Sequence, residues 1–177
     1  MAAAVVVLVA GLPLAVITVP VVIAFTMVPD VDQQIGFIKH RGVTHTILFA
    51  VTVGGIVGAA VIAWIQFAVK EFEVMFTVFP WGVQPLRTGA VMGAAATLSL
   101  LVHIFTDTLT VGSGRFGIHP FWPVSSQQIR FGFCKAANSW ANHLLFGAGV
   151  VIFSTVVWLR LAFPWLPSLS AVFGVAG

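Results

Sequence analysis

A chain of 177 residues with 59% hydrophobic residues, 7% charged residues and a mean hydropathy of +1.07 cannot cover a soluble fold, because ordinary soluble domains carry about 25% charged residues. The net charge of +3 comes from eight scattered basic residues against five acids, which suits membrane topology signals and argues against a nucleic-acid partner. Cys134 is the only cysteine, so there is no disulfide framework and no CxxC metal knuckle.

A membrane-spanning helix needs about 20 mostly apolar residues, and four segments reach that length. The sequence therefore predicts an all-α polytopic bundle, a single integral membrane domain over residues 1–177. The expected spans are 2–28, 44–69, 88–111 and 139–163. Their apolar runs do not alternate, as the short strands of a transmembrane barrel would. The first segment contains Pro13 and Pro20 but lacks the basic leading region of a signal peptide.

Between spans one and two lies "VPDVDQQIGFIKHRGVTHT", residues 28–46. It collects Asp30, Asp32, Lys39, His40, Arg41 and His45 from a chain with few ionisable groups. After span two, the aromatic and proline-bearing stretch 70–87 reads as an interfacial segment on the opposite side of the membrane. Span three ends in "LSLLVHIFTDTLT", residues 98–110. His103 and Asp107 are four apart and project from one helical face, which Ser99, Thr106 and Thr110 share. Ionisable groups inside a span cost roughly 2.5–3.5 kcal/mol each on insertion scales, so two on one stripe imply a compensating partner.

Four-span topology brings three of the five acids and three of the five histidines to one membrane face. Asp30, Asp32, His40, His45, His103 and Asp107 are thus candidate ligands for one divalent ion, or for two sharing carboxylates. Zinc is the first choice from these donor types, with manganese or magnesium as the others. Each part also has a plainer reading. The Asp pair could be a solvated turn, Lys39–Arg41 a basic surface anchor, and His103 with Asp107 a self-neutralising pair. On the candidate site side stand Lys39, Arg41, Arg115, Arg130 and Lys135, against Lys70, Arg87 and Arg160 on the other. That excess directs the motif loops toward the cytoplasm.

Read in order, "PDVD", "HRGVTHT", "HIFTDTLT" and "HPFWP", with a weaker continuation in "AANSWAN", resemble the membrane-bound metal-dependent hydrolase family. Members of that family carry P-D-x-D, H-R-G-x-T-H-[ST] and H-x3-D-x-x-T blocks and are distantly similar to zinc-dependent phospholipase C. The chain departs from the pattern at Gln33 and Gln34, where an early His or Asp is expected. The resemblance implies the same six ligands and a phosphoester hydrolase acting on a lipid or amphiphilic substrate. A metal-bound water would be the nucleophile, with Asp32 or Asp107 as its base. Arg41 would meet phosphate through its planar fork, making Asp32, Asp107 and Arg41 the catalytic set. Arg115, His119, Arg130, Asn138 and Asn142 would join Arg41 in substrate binding. Gly42 would provide a tight turn and Thr44 the cap of the second span. Membrane lipids are the expected partners, with self-association into a homo-oligomer left open. Two rival readings stand beside it: a non-catalytic membrane protein with a structural metal or ion-pair cluster, and an ion- or proton-coupled transporter.

Overall fold

Two G-x-x-x-G pairs decide how the bundle closes. The computed structural model describes residues 12–35, 41–71, 84–111, 117–135 and 138–163. In chain order these form α1 (Leu12–Thr26), a 3₁₀ helix (Pro29–Gln34), a second 3₁₀ helix (Val43–His45), α2 (Ile47–Glu71) and α3 (Pro85–Leu109). Strands β1 (Thr110–Val111) and β2 (Cys134–Lys135) and helix α4 (Ser139–Ala162) follow.

Residues four apart share a helical face, so Gly54 and Gly58 make one smooth stripe on α2, and Gly89 and Gly93 another on α3. A Cβ placed on Gly93 would lie 2.6 Å from the Gly54 carbonyl oxygen and 3.2 Å from the Gly58 Cα. One on Gly58 would lie 2.9 Å from the Gly89 carbonyl oxygen. Gly54 faces Gly93 while Gly58 faces Gly89, so the two helices run antiparallel with their backbones in direct contact. Small residues permit such an approach, which is how helices pack where hydrocarbon supplies no hydrophobic drive.

Helix α3 is the centre. It packs along α2 on one side and against α1 on the other. The α1 contact carries a polar tie at depth. The hydroxyls of Ser99 and Thr26 lie 2.8 Å apart, and both reach the Val22 carbonyl, at 2.6 and 2.7 Å. Ala50, Leu100, Ile104 and Ile118 form the buried core, flanked by Phe25, Val28, Phe49, Val53 and Leu101. Ile118 comes from the 117–135 segment and plugs the bundle at one end.

That segment is fastened by backbone pairing. Helix ends leave N–H and C=O groups without intrahelical partners, and here the segment supplies them. The Ile47 N–H donates to the Pro120 carbonyl at 2.9 Å, and the N–H groups of Phe131 and Phe133 donate to the carbonyls of Thr108 and Leu109 at 2.8 Å. Strand β1 pairs in parallel with β2, Thr110 opposite Cys134 and Val111 opposite Lys135. Ile118 and Ile129 exchange two further backbone bonds, at 3.2 and 2.9 Å.

The protein is mostly helical, with a short two-stranded pair added to the expected all-α bundle. Of the four expected spans, Ile47–Ala68 and Pro85–Leu109 are long and apolar enough to cross a membrane. Helix α1 has 15 described residues, and residues 2–11 of the first expected span lie outside the described ones. Helix α4 runs over Ser139–Ala162 and contains the apolar stretch Phe146–Leu159. The second span starts later than expected, since Thr44 and His45 belong to a 3₁₀ turn. The third starts earlier, at Pro85, whose missing N–H is no loss in a first helical turn. Residues 72–83 of the expected interfacial stretch lie outside the described residues. Exposed Leu48, Val51, Ile56, Trp64, Phe67 and Phe105 give the α2–α3 pair an outer surface suited to hydrocarbon.

Candidate metal centre

The chain does not loosen after α1. Bonds from Asp30 N–H to the Met27 carbonyl (3.2 Å), Val31 N–H to Val28 (3.2 Å) and Ile35 N–H to Asp32 (3.1 Å) carry it on as 3₁₀ turns. Asp30 and Asp32 therefore stand on an ordered helical extension. Asp32 is 2% exposed, which excludes the solvated-turn reading for it.

Arg41 returns the chain toward the bundle. Its φ of 61° lies in the left-handed region, which costs a non-glycine residue about 1–2 kcal/mol. The left-handed position therefore falls on Arg41, whereas Gly42 has a negative φ of −87°. The conformation lets one residue make two connections. Its backbone N–H donates to Asp32 Oδ2 at 3.2 Å, while its Nε lies 3.3 Å from Asp107 Oδ2 on α3. Its Nη2 also donates to Thr110 Oγ1 at 3.4 Å.

Thr44 does not cap α2. Its hydroxyl donates to Asp32 Oδ2 at 2.5 Å and lies 3.0 Å from His45 Nδ1. Thr46 is the cap, its Oγ1 accepting from the Phe49 N–H at 3.1 Å. The 3₁₀ turn at Val43–His45 sets the helix start two residues later than the motif alone suggests. Thr44 is instead an orienting group for Asp32, a role that only its position beside His45 in the sequence could have hinted at.

His45 is wholly buried and lies between two carboxylates. Nδ1 is 3.5 Å from Asp32 Oδ2, and Nε2 is 3.3 Å from Asp107 Oδ2. The His103 ring meets it edge to face, with centroids 5.5 Å apart. His103 Nε2 lies 3.7 Å from Asp30 Oδ1, too far for a hydrogen bond. This nitrogen is buried and has no hydrogen-bond partner among the described residues. Asp30 Oδ1 also accepts from Gln33 Nε2 at 3.0 Å.

The structure thus brings Asp30, Asp32, His45, His103, Asp107 and Arg41 together where α1, α2 and α3 meet. Ligand atoms of Asp30, His45 and His103 lie within 4.8 Å of one another. Neighbouring ligands of a tetrahedral zinc sit about 3.4 Å apart, given bonds of about 2.1 Å. The Asp30 side chain is 40% exposed, and its Oδ1 already lies 3.7 Å from His103 Nε2. Charge favours a cation as well. Three carboxylates face one guanidinium, so with neutral imidazoles these six side chains carry two negative charges in an apolar bundle.

The other expected site residues stand apart from this cluster or outside the description. His40 and Arg115 lie outside the described residues, as does the side chain of Asn142. His119 is engaged within its own loop, Nδ1 with the Ser126 carbonyl at 2.9 Å and Nε2 with Gln128 Nε2 at 3.2 Å. Asn138 caps α4, its Oδ1 accepting from the Trp140 N–H at 3.1 Å. Arg130 is exposed on the 117–135 segment.

A family model described as YdjM inner membrane protein matches residues 1–176. No curated protein and no solved structure matches the chain. This corrects the resemblance to membrane-bound metal-dependent hydrolases, and the phospholipase C likeness falls with it. The blocks that carried the resemblance are short and built from His, Asp and Arg, which any buried ion site draws on. The family match runs over nearly the whole chain and brings no hydrolase with it.

Proposed function

The chain belongs to the YdjM inner membrane protein family, and we propose that it is a non-catalytic membrane protein built around a structural cation site. Asp30, His45 and His103 hold one divalent ion, which fastens the extension of α1 to α2 and α3. The observation that carries this reading is the convergence of those three ligand atoms within 4.8 Å. The excess of carboxylates and the buried Nε2 of His103 support it. Two imidazoles with one carboxylate suit zinc better than magnesium, which prefers all-oxygen shells.

Each remaining group has a supporting role in this reading. Asp32 lies behind His45 on its Nδ1 side and orients the ring so that Nε2 is presented to the ion, an arrangement common at histidine–metal sites. Arg41 balances Asp107. Purified protein should take up one zinc per chain by elemental analysis after dialysis. His103→Ala should weaken zinc binding by about 100-fold or more while the protein stays monodisperse. Retention of a full equivalent of zinc by His103→Ala, or none by the wild type, would reject the site.

In the same reading α1 and α4 complete a four-span bundle whose site end faces the cytoplasm, as the basic residues indicate. With Cys134 replaced, Gln127→Cys should react with an impermeant maleimide from the cytoplasmic side of sealed vesicles. Arg87→Cys should react from the other. The reverse pattern would invert the orientation, and labelling of both from one side would break the span order.

A further inference from the structure

The 117–135 segment carries a second feature that the cation site does not use. Val124 is 94% exposed, Phe133 78%, Phe131 58%, Trp122 46% and Phe121 45%. So much exposed apolar surface is unusual for a segment held by backbone pairing to the bundle. The Phe131 and Phe133 rings lie parallel, with centroids 6.1 Å apart, presenting one flat apolar face.

Their height in the bundle follows from the hydrogen bonds. Pro120, next to Phe121 and Trp122, accepts from Ile47, the first residue of span α2. Phe131 and Phe133 donate to Thr108 and Leu109, the last residues of span α3. Because α2 and α3 are antiparallel, these anchor points lie at the same end. The segment is thus tied by its backbone to the same end of both spans, the end where a spanning helix leaves hydrocarbon and aromatic side chains collect. Residues 117–135 include Arg130 and Lys135, both exposed, and no acid.

We propose that this segment is a lipid-docking collar. Phe121, Trp122, Val124, Phe131 and Phe133 insert into the boundary between acyl chains and headgroups. Arg130 and Lys135 meet anionic headgroups, to which basic side chains at a membrane surface are attracted. The collar would hold the mouth of the bundle at a set depth, independently of whether the cation site is filled.

The test uses the full chain with Cys134 replaced by Ser and an environment-sensitive fluorophore at Val124→Cys, Phe133→Cys or Gln127→Cys. Each protein is reconstituted into vesicles of phosphatidylcholine alone or mixed with phosphatidylglycerol. At positions 124 and 133 a lipid-borne nitroxide should quench at least about threefold more than at Gln127, which lies on the polar part of the loop. Aqueous iodide should show the opposite order. Equal iodide quenching at all three positions would overturn the collar. Adding phosphatidylglycerol should deepen the labels at 124 and 133, and Arg130→Gln with Lys135→Gln should abolish that dependence. If lipid charge has no influence before those changes, the headgroup contact is overturned even where insertion holds. A label needs only an exposed position, so monodispersity in detergent suffices to show that each variant folds.

Discussion

Gly93→Val is expected to separate α2 from α3 and to cost about 3 kcal/mol or more, the upper end of overpacking effects. The reason is the identity of the neighbours. A Cβ on Gly93 meets the Gly54 carbonyl oxygen at 2.6 Å and the Gly58 Cα at 3.2 Å. Both belong to backbone, which cannot rotate away as a side chain could. Relief requires the helices to move apart, and that weakens contacts along the whole pair. Gly55 provides the contrast, because a Cβ there meets nothing within 4 Å. Gly55→Ala should leave stability unchanged or raise it by up to about 1 kcal/mol, through helix propensity alone. Thermal unfolding in a single detergent would compare the two. Equal midpoints for Gly93→Val and wild type would refute the backbone-contact packing.

His45→Ala is expected to cost about 3 kcal/mol even without metal, and to abolish zinc uptake as well. Its ring separates Asp32 from Asp107, with nitrogens 3.5 and 3.3 Å from their carboxylate oxygens. Truncating a wholly buried ring leaves a cavity and takes a polar neighbour from two carboxylates, at roughly 1–3 kcal/mol for each buried group left unsatisfied; Thr44 and the Arg41 N–H still hold Asp32, which keeps the estimate near the single-group range. His103→Ala should behave differently. The His103 Nε2 makes no hydrogen bond among the described residues, so in the apo protein its loss should cost roughly half as much. Both variants should lose the stabilisation that zinc confers on wild type, about 2.7 kcal/mol at a hundredfold excess over the dissociation constant. Unfolding with and without zinc separates the two effects. A zinc-induced rise in midpoint equal to that of wild type in either variant would refute the shared site.

By itself the sequence determined the solvent and much of the helical content. With 7% charged residues only lipid could cover the surface, and backbone groups in lipid must pair within helices or closed barrels. It also determined that His103 and Asp107 share a face, because spacing of four residues is local geometry. The H-x3-D pair, His45 and both Asp residues could be singled out because ionisable groups are rare in so apolar a chain. The G-x-x-x-G spacings on α2 and α3 are visible in the same way, though spacing alone does not say which stripe meets which.

The tertiary structure decided the pairings. Gly54 against Gly93, and Ser99 against Val22 and Thr26, depend on residues far apart in the chain, which no local pattern encodes. It placed the cap on Thr46 and turned Thr44 toward Asp32, because an intervening 3₁₀ turn shifts the helix start. It put the left-handed residue at Arg41, beside a glycine that chain statistics would favour, where the Arg41 N–H meets Asp32 and its Nε meets Asp107. Short motifs name the donors that a buried ion requires. Which of these donors converge, and which stand behind them, is set by ångström-scale distances between segments, and those exist only once the bundle has closed.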